Sequence, residues 1–174
     1  MSRPYPDALG LSRRVLGALV VLNAIYCLAI LALLVASLVA EGPVMVGLGV
    51  KPADDGATLI RGMRLIMVAG IASVPIAHVI LTRLLAIIDT VRAGDPFVVE
   101  NGDRLQTIAW SVLGLELLHL AIGAIAANSA SSVQPLDINW SFSFTPWIAV
   151  LLLFVLARVF DHGARMRADL EGTV

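Results

Sequence analysis

The fold is decided by residues 15–40, which read VLGALVVLNAIYCLAILALLVASLVA. The stretch contains no charged side chain. As a helix, rising about 1.5 Å per residue, it is longer than the roughly 30 Å hydrocarbon core of a bilayer. It is also too long for the apolar core of a cleaved signal peptide, which has roughly 7–15 residues. We therefore predict a retained transmembrane helix.

Three further apolar runs follow this first one, at about residues 65–88, 105–127 and 145–160. Because lipid offers no hydrogen bonds to the backbone, runs of this length predict helices that satisfy their own peptide groups. The predicted fold class is all-α, an integral membrane bundle of four transmembrane helices. We treat residues 1–174 as a single domain whose first partner is the lipid bilayer.

Composition supports the membrane class and excludes others. Apolar residues make up 59 % of the chain and charged residues 14 %, whereas soluble domains have roughly a half and a quarter. The net charge of −1 gives no indication of direct nucleic-acid binding. A single cysteine, Cys27, excludes an intramolecular disulfide.

Basic residues predict the orientation of the four spans, because cytoplasmic loops are enriched in lysine and arginine. In a four-span topology, the N-terminal segment, the middle connection and the C-terminal segment share one side and hold nine basic residues. These are Arg3, Arg13, Arg14, Arg83, Arg92, Arg104, Arg158, Arg165 and Arg167. The other side holds three, which are Lys51, Arg61 and Arg64. We therefore expect both termini in the cytoplasm and a cytoplasmic tail over residues 161–174, in which the fourth helix continues as an amphipathic helix.

The connections between spans differ in their predicted structure. Residues 42–62 are rich in glycine and proline and predict an irregular loop. Residues 137–144 alternate polar and apolar side chains, which predicts a short extracytoplasmic strand or β-hairpin; aromatic anchoring of this loop at the headgroups by Trp140 is an equal alternative. On the inner side, Asp95 and Pro96 predict a helix start, with Asp95 as the cap.

Five polar or ionisable residues lie inside the predicted spans, where each is costly. They are Asn23, His78, Glu116, His119 and Arg158. The preferred interpretation is structural: these groups hydrogen-bond between helices, and Glu116 and Arg158 fall at similar depths, which allows them to pair. A proton-sensing or ion-binding cluster is the alternative, because histidine titrates near neutrality. Imidazole and carboxylate also suit zinc, but no His-Glu-x-x-His pattern is present, and we expect no metal and no cofactor.

Two sequence elements carry a resemblance to a known family. Pro96-Phe97, Glu100-Asn101 and Arg104-Leu105 fit a PF-x-x-EN-x-x-RL element. Residues 157–163 fit A-x-V-F-x-x-G, and the chain ends in Thr173-Val174. Together they resemble a bacterial membrane family, domain of unknown function 2975. Gly102 departs from the first element and predicts a helix weakened by about 1 kcal/mol and a less rigid inner segment.

The resemblance implies a small four-helix protein of the bacterial cytoplasmic (inner) membrane, with no established enzymatic activity. It also implies a neighbouring small regulator of the Cro/C1 helix-turn-helix type. The favoured hypothesis is therefore a regulatory protein that holds or signals to such a regulator. The expected cytoplasmic partner-binding residues are Pro96, Phe97, Glu100, Asn101, Arg104, Phe160, Gly163 and Arg167.

The alternative function classes are a transporter or channel and an enzyme. A small transporter or channel would use the Glu116–His119–His78 cluster, and four helices are few for a solute pathway unless the protein forms a homo-oligomer. An enzyme would need a nucleophile beside a base. The sequence offers no such pair, so we expect no enzymatic activity.

Overall fold

The computed structural model describes residues 5–47, 56–129 and 143–171. Five helices cover nearly all of them. They are α1 (Tyr5–Val39), α2 (Glu41–Gly47), α3 (Gly56–Arg92), α4 (Val99–Ser129) and α5 (Thr145–Glu171).

The four predicted transmembrane helices are confirmed as α1, α3, α4 and α5, each long and apolar enough to cross a membrane. The chain is therefore an all-α, multi-pass membrane protein by helix length and composition. The helices run past the apolar stretches that predicted them. The fourth span continues without interruption to Glu171, which confirms the predicted helical extension.

The prediction of an irregular loop over residues 42–62 is wrong at both of its ends. Residues 41–47 form α2, and α3 begins at Gly56, nine residues before the predicted span. Pro43 is tolerated because it lies in the first turn of α2, where a missing N–H breaks no helical hydrogen bond. The first turns of α3 form because Leu59 is buried there. The connection between these two helices lies outside the described residues.

The predicted strand over residues 137–144 falls almost entirely outside the described part of the chain. Its last two residues, Ser143 and Phe144, precede α5 and are not in a strand. The residues that the structure describes contain helices and no strand.

The chain divides into two compact units, and each contains parts of several helices. The first unit consists of residues 1–23, 76–114 and 143–174. Its buried apolar side chains come from α4 and α5 and are mostly short: Leu105, Ile108, Ala109, Val150, Ala157 and Ala164. Small side chains let two helix backbones approach closely, which is how membrane helices associate without a hydrophobic driving force.

The second unit consists of residues 24–75 and 115–142, and Arg64 of α3 binds the end of α1 within it. The Arg64 guanidinium donates to the Ser37 carbonyl, to Ser37 Oγ at 3.4 Å and to Glu41 Oε2 at 2.8 Å. Ser37 is fully buried, and its hydroxyl donates to the Leu34 carbonyl. One arginine thus satisfies acceptors at a helix terminus that has no further backbone donors.

Close packing between α3 and α4 in the second unit depends on Gly62. This glycine is buried, and a Cβ placed on it would overlap the Cβ and Oγ atoms of Ser129. The two backbones therefore approach at a distance that only glycine allows.

Candidate functional site: the motif junction

The two sequence elements that carry the family resemblance meet in the first unit. We call this region the motif junction, and define it as residues 95–104 and 157–167. The Phe97 ring packs on Phe160, with 5.4 Å between ring centroids. A Cβ on Gly163 would lie 3.1 Å from the Phe97 ring. Asp95 accepts a hydrogen bond from Arg167, so three contacts join segments about 60 residues apart.

Asn101 organises the turn that precedes α4. Its side chain is fully buried, and Nδ2 donates to the Pro96 carbonyl at 2.9 Å and to Thr90 Oγ1 at 2.8 Å. The side-chain oxygen accepts from Arg104 at 2.8 Å. One amide thus ties the end of α3, the turn and the first turn of α4 together. Gly94 starts the turn with a φ of 85°, a conformation that favours glycine.

The predicted helix start at Asp95 and Pro96 is wrong by three residues, because α4 begins at Val99. Asp95 is occupied by the ion pair with Arg167 instead of capping a helix. The Pro96 carbonyl accepts from the Asn101 side chain and so belongs to the turn. The ion pair of Asp95 and the hydrogen bond to the Pro96 carbonyl therefore override the local capping signal.

Gly102 is part of the contact between α4 and α5. It is buried, and a Cβ on it would lie 3.5 Å from the Ala157 carbonyl oxygen and 3.5 Å from Asp161 Cβ. These are ordinary van der Waals distances. The glycine that was expected to loosen this segment instead lies against α5, with room for one more methyl group.

An apolar groove runs along the exposed side of the motif junction. Its volume is about 770 Å³, and Phe97 and Met166 are among the side chains that line it. A smaller polar notch of about 300 Å³ lies beside it, between the first turns of α4 and the middle of α5, with Asp103 and Asp161 in its lining. Arg158 lines both the groove and the notch.

All eight residues predicted to bind a partner lie in the motif junction, but several of them bind each other. Asn101 is buried and Arg104 donates to it, so their observed contacts hold the turn. Phe97 contacts Phe160 and Gly163 and still keeps 45 % of its surface exposed. Glu100 is exposed. Thr90, which no motif had indicated, anchors Asn101, and a hydroxyl near the end of a helix before a turn is a weak signal in sequence.

The predicted intramembrane cluster is divided between the two units. Asn23, His78 and Arg158 belong to the first unit, whereas Glu116 and His119 belong to the second. Neither unit by itself contains the set, and the Glu116–Arg158 pair stays a prediction. Among the described residues, no group of three or more His, Cys, Asp and Glu side chains is placed to hold a metal ion. The transporter hypothesis therefore gains no support from either unit.

Comparison with known proteins yields one match. A family model described as protein of unknown function, DUF2975, matches residues 50–174 and thus includes both motif segments. No curated protein and no solved structure matches the chain.

Proposed function

We propose, from the premise that this chain belongs to the DUF2975 family of proteins of unknown function, that it is a membrane-bound interaction protein. Its motif junction would bind a small cytoplasmic helix-turn-helix regulator. The observation that carries the proposal is the meeting of both family motifs in one exposed region through Phe97, Gly163 and Arg167. Motifs that served only to span the membrane would have no need to converge there.

The surface of the motif junction has the mixed character of a protein-binding site. Val99 is 55 % exposed, and Glu100, Asp103 and Arg165 of the motif junction are exposed as well. Exposed apolar side chains together with charges of both signs are typical of interfaces between proteins. The rigid turn held by Asn101 presents these side chains without ordering a loop on binding, which lowers the entropic cost of association.

Orientation is part of the proposal. Nine basic residues against three favour a cytoplasmic junction and cytoplasmic termini in the bacterial inner membrane. Fusions of alkaline phosphatase, which is active only outside the cytoplasm, test this. We expect an inactive enzyme after Val174 and an active one after Ser129. The reverse pattern would exclude cytoplasmic binding.

The binding test compares two exposed aliphatic positions on the same side of the predicted topology. Val99→Lys lies in the junction, and Leu11→Lys, at a residue 63 % exposed on α1, is the matched control. The protein is expressed with a small helix-turn-helix regulator of the Cro/C1 type that the family resemblance implies, and the regulator is measured in membrane and soluble fractions. We expect wild type and Leu11→Lys to retain the regulator in the membrane fraction and Val99→Lys to release it.

Two results would contradict the proposal. The first is a regulator that stays soluble beside the wild-type protein. The second is retention by Val99→Lys that equals wild-type retention, with both proteins present in the membrane at the same level.

A further inference from the structure

We infer that the groove of the motif junction binds an anionic phospholipid, with an acyl chain along its apolar wall and the phosphate at Arg158. This site shares Phe97, Gly163 and Arg167 with the junction assigned to the regulator, but it does not depend on the regulator. It adds a second class of ligand to the junction.

The groove combines an apolar wall with basic side chains. Its apolar wall includes Phe97, Val155 and Val159, and its basic or imidazole side chains are Arg158, His162 and Arg167. No acidic residue is among the lining residues. A ligand that matches this lining has a long apolar part and a negatively charged head, which is the chemistry of an anionic phospholipid.

Arg158 differs from the other arginines of the motif junction. Arg104 donates to Asn101, Arg165 pairs with Asp161 at 3.0 Å, and Arg167 pairs with Asp95. Arg158 is exposed and, within the described part of the chain, makes no hydrogen bond or ion pair. It therefore presents an unneutralised guanidinium to whatever surrounds the groove.

The position of Arg158 along α5 favours a lipid phosphate as the anion. It lies two residues before the inner end of the predicted fourth span, residues 145–160. A long arginine side chain near the end of a span extends to the phospholipid headgroups, and guanidinium binds phosphate oxygens through two parallel hydrogen bonds.

The apolar face of α1 provides an internal contrast. A shallow groove of about 680 Å³ there is lined only by apolar residues between Leu28 and Ala40. Any acyl chain can cover it, whatever the headgroup. Of these two grooves, selectivity for an anionic headgroup is thus expected at the one in the motif junction.

Native mass spectrometry of the detergent-purified full chain tests the inference. Phosphatidylglycerol and phosphatidylcholine with identical acyl chains are added in equal amounts, and the retained lipid is counted per protein. We expect about tenfold more retained phosphatidylglycerol, because phosphatidylcholine carries the same phosphate but its choline cation offsets the attraction to the Arg158 guanidinium. Arg158→Gln should abolish this preference. Arg83→Gln, which removes an exposed arginine of α3 that lies outside the groove, should preserve it.

A second pair of variants tests the apolar wall. Val159→Phe fills part of the groove and should lower phosphatidylglycerol retention severalfold. Leu151→Phe, at an exposed residue of the same helix outside the groove, should leave retention unchanged.

Four outcomes would overturn the inference. One is equal retention of both lipids by the wild-type protein, and another is an equal loss of preference in Arg158→Gln and Arg83→Gln. The third concerns Asp103 in the neighbouring notch. If the wild-type protein shows no preference for phosphatidylglycerol and Asp103→Asn does, then Asp103 neutralises Arg158 and the lipid does not. Co-purification of an acidic protein segment that excludes phosphatidylglycerol would also contradict it.

Discussion

Arginine has different roles in the motif junction and at the end of α1, where Arg64 binds Ser37 and Glu41. In the second unit, Arg64 is directed at three acceptors on Ser37 and Glu41, and its side chain is only 24 % exposed. In the first unit, Arg158 is exposed and makes no such contact among the described residues. Arg64 holds helices together, whereas Arg158 remains able to bind a ligand. The comparison separates structural polar groups from those with unused binding capacity.

The largest expected effect comes from removing the buried amide of the junction. Asn101→Ala deprives the Pro96 carbonyl and the Thr90 hydroxyl of their donor and Arg104 of its acceptor. Because unsatisfied buried polar groups cost about 1–3 kcal/mol each, we expect a loss of about 3 kcal/mol in unfolding free energy. Denaturant titration in detergent, followed by circular dichroism, measures it. Glu100→Ala at the adjacent exposed position should change stability by less than about 0.5 kcal/mol. Similar losses in both variants would mean that the Asn101 amide does not stabilise the turn.

Gly62→Ala tests close packing in the second unit. The added methyl group would overlap Ser129, so α3 and α4 must separate locally, at an expected cost of about 2 kcal/mol. The melting temperature in detergent reports the loss. The double variant Gly62→Ala with Ser129→Gly should recover most of it, and failure to recover would contradict the predicted overlap.

Arg64→Gln and Arg158→Gln address the comparison directly. Loss of Arg64 removes charge-assisted hydrogen bonds from a part-buried site, and we expect about 1–2 kcal/mol of destabilisation. Loss of Arg158 breaks no hydrogen bond or ion pair within the described structure and should leave the unfolding free energy in lipid-free detergent unchanged. Equal destabilisation by the two variants would contradict the distinction between a structural Arg64 and an Arg158 that is able to bind a ligand.

Gly102→Ala is expected to have the opposite sign from Gly62→Ala. Its methyl group would sit at ordinary contact distance from α5. Alanine also favours a helix by about 1 kcal/mol over glycine. We expect a small rise in melting temperature under the same conditions. A fall comparable to that of Gly62→Ala would show that α4 and α5 are packed as tightly as α3 and α4.

The smallest effect is expected at the pair between Arg13 and Asp89. The two groups are 2.9 Å apart, and both side chains are about half exposed. Exposed pairs of this kind contribute about 0–1 kcal/mol, so Asp89→Asn should lower stability by less than about 0.5 kcal/mol. A loss larger than that of Arg64→Gln would assign this pair a structural role.

The helices were predictable because apolar length is a property of each segment alone. Contacts between distant segments were not predictable, because no periodic pattern in the sequence indicates that Phe97 packs on Gly163. Asp95 shows the same limit at short range. Its local sequence predicts a helix cap, but its side chain pairs with Arg167 instead. The first turns of α3 were missed because charged Arg61 and Arg64 ended the apolar run, although Leu59 and Gly62 continue the buried side of the helix.

Phe97 and Asn101 were both predicted at the functional surface, and the structure distinguishes their observed contacts. Asn101 is fully buried, so its side chain acts on the turn. Phe97 is half exposed and lines the groove, so it serves both the packing of α5 and any ligand. Sequence could identify the motif residues as a group, but only burial separates those that build the site from those that can touch a partner.

The contact between Phe97 and Gly163 also sets a mechanical limit. If α5 slid by one helical turn, about 5.4 Å, the residue facing the Phe97 ring would be Val159 or Arg167 instead of glycine. Neither side chain fits where a single Cβ already comes within 3.1 Å. The phenyl ring thus holds α5 at one position along its helix axis. Any signal that passes along this helix must do so by tilting or rotation, or by first displacing the ring.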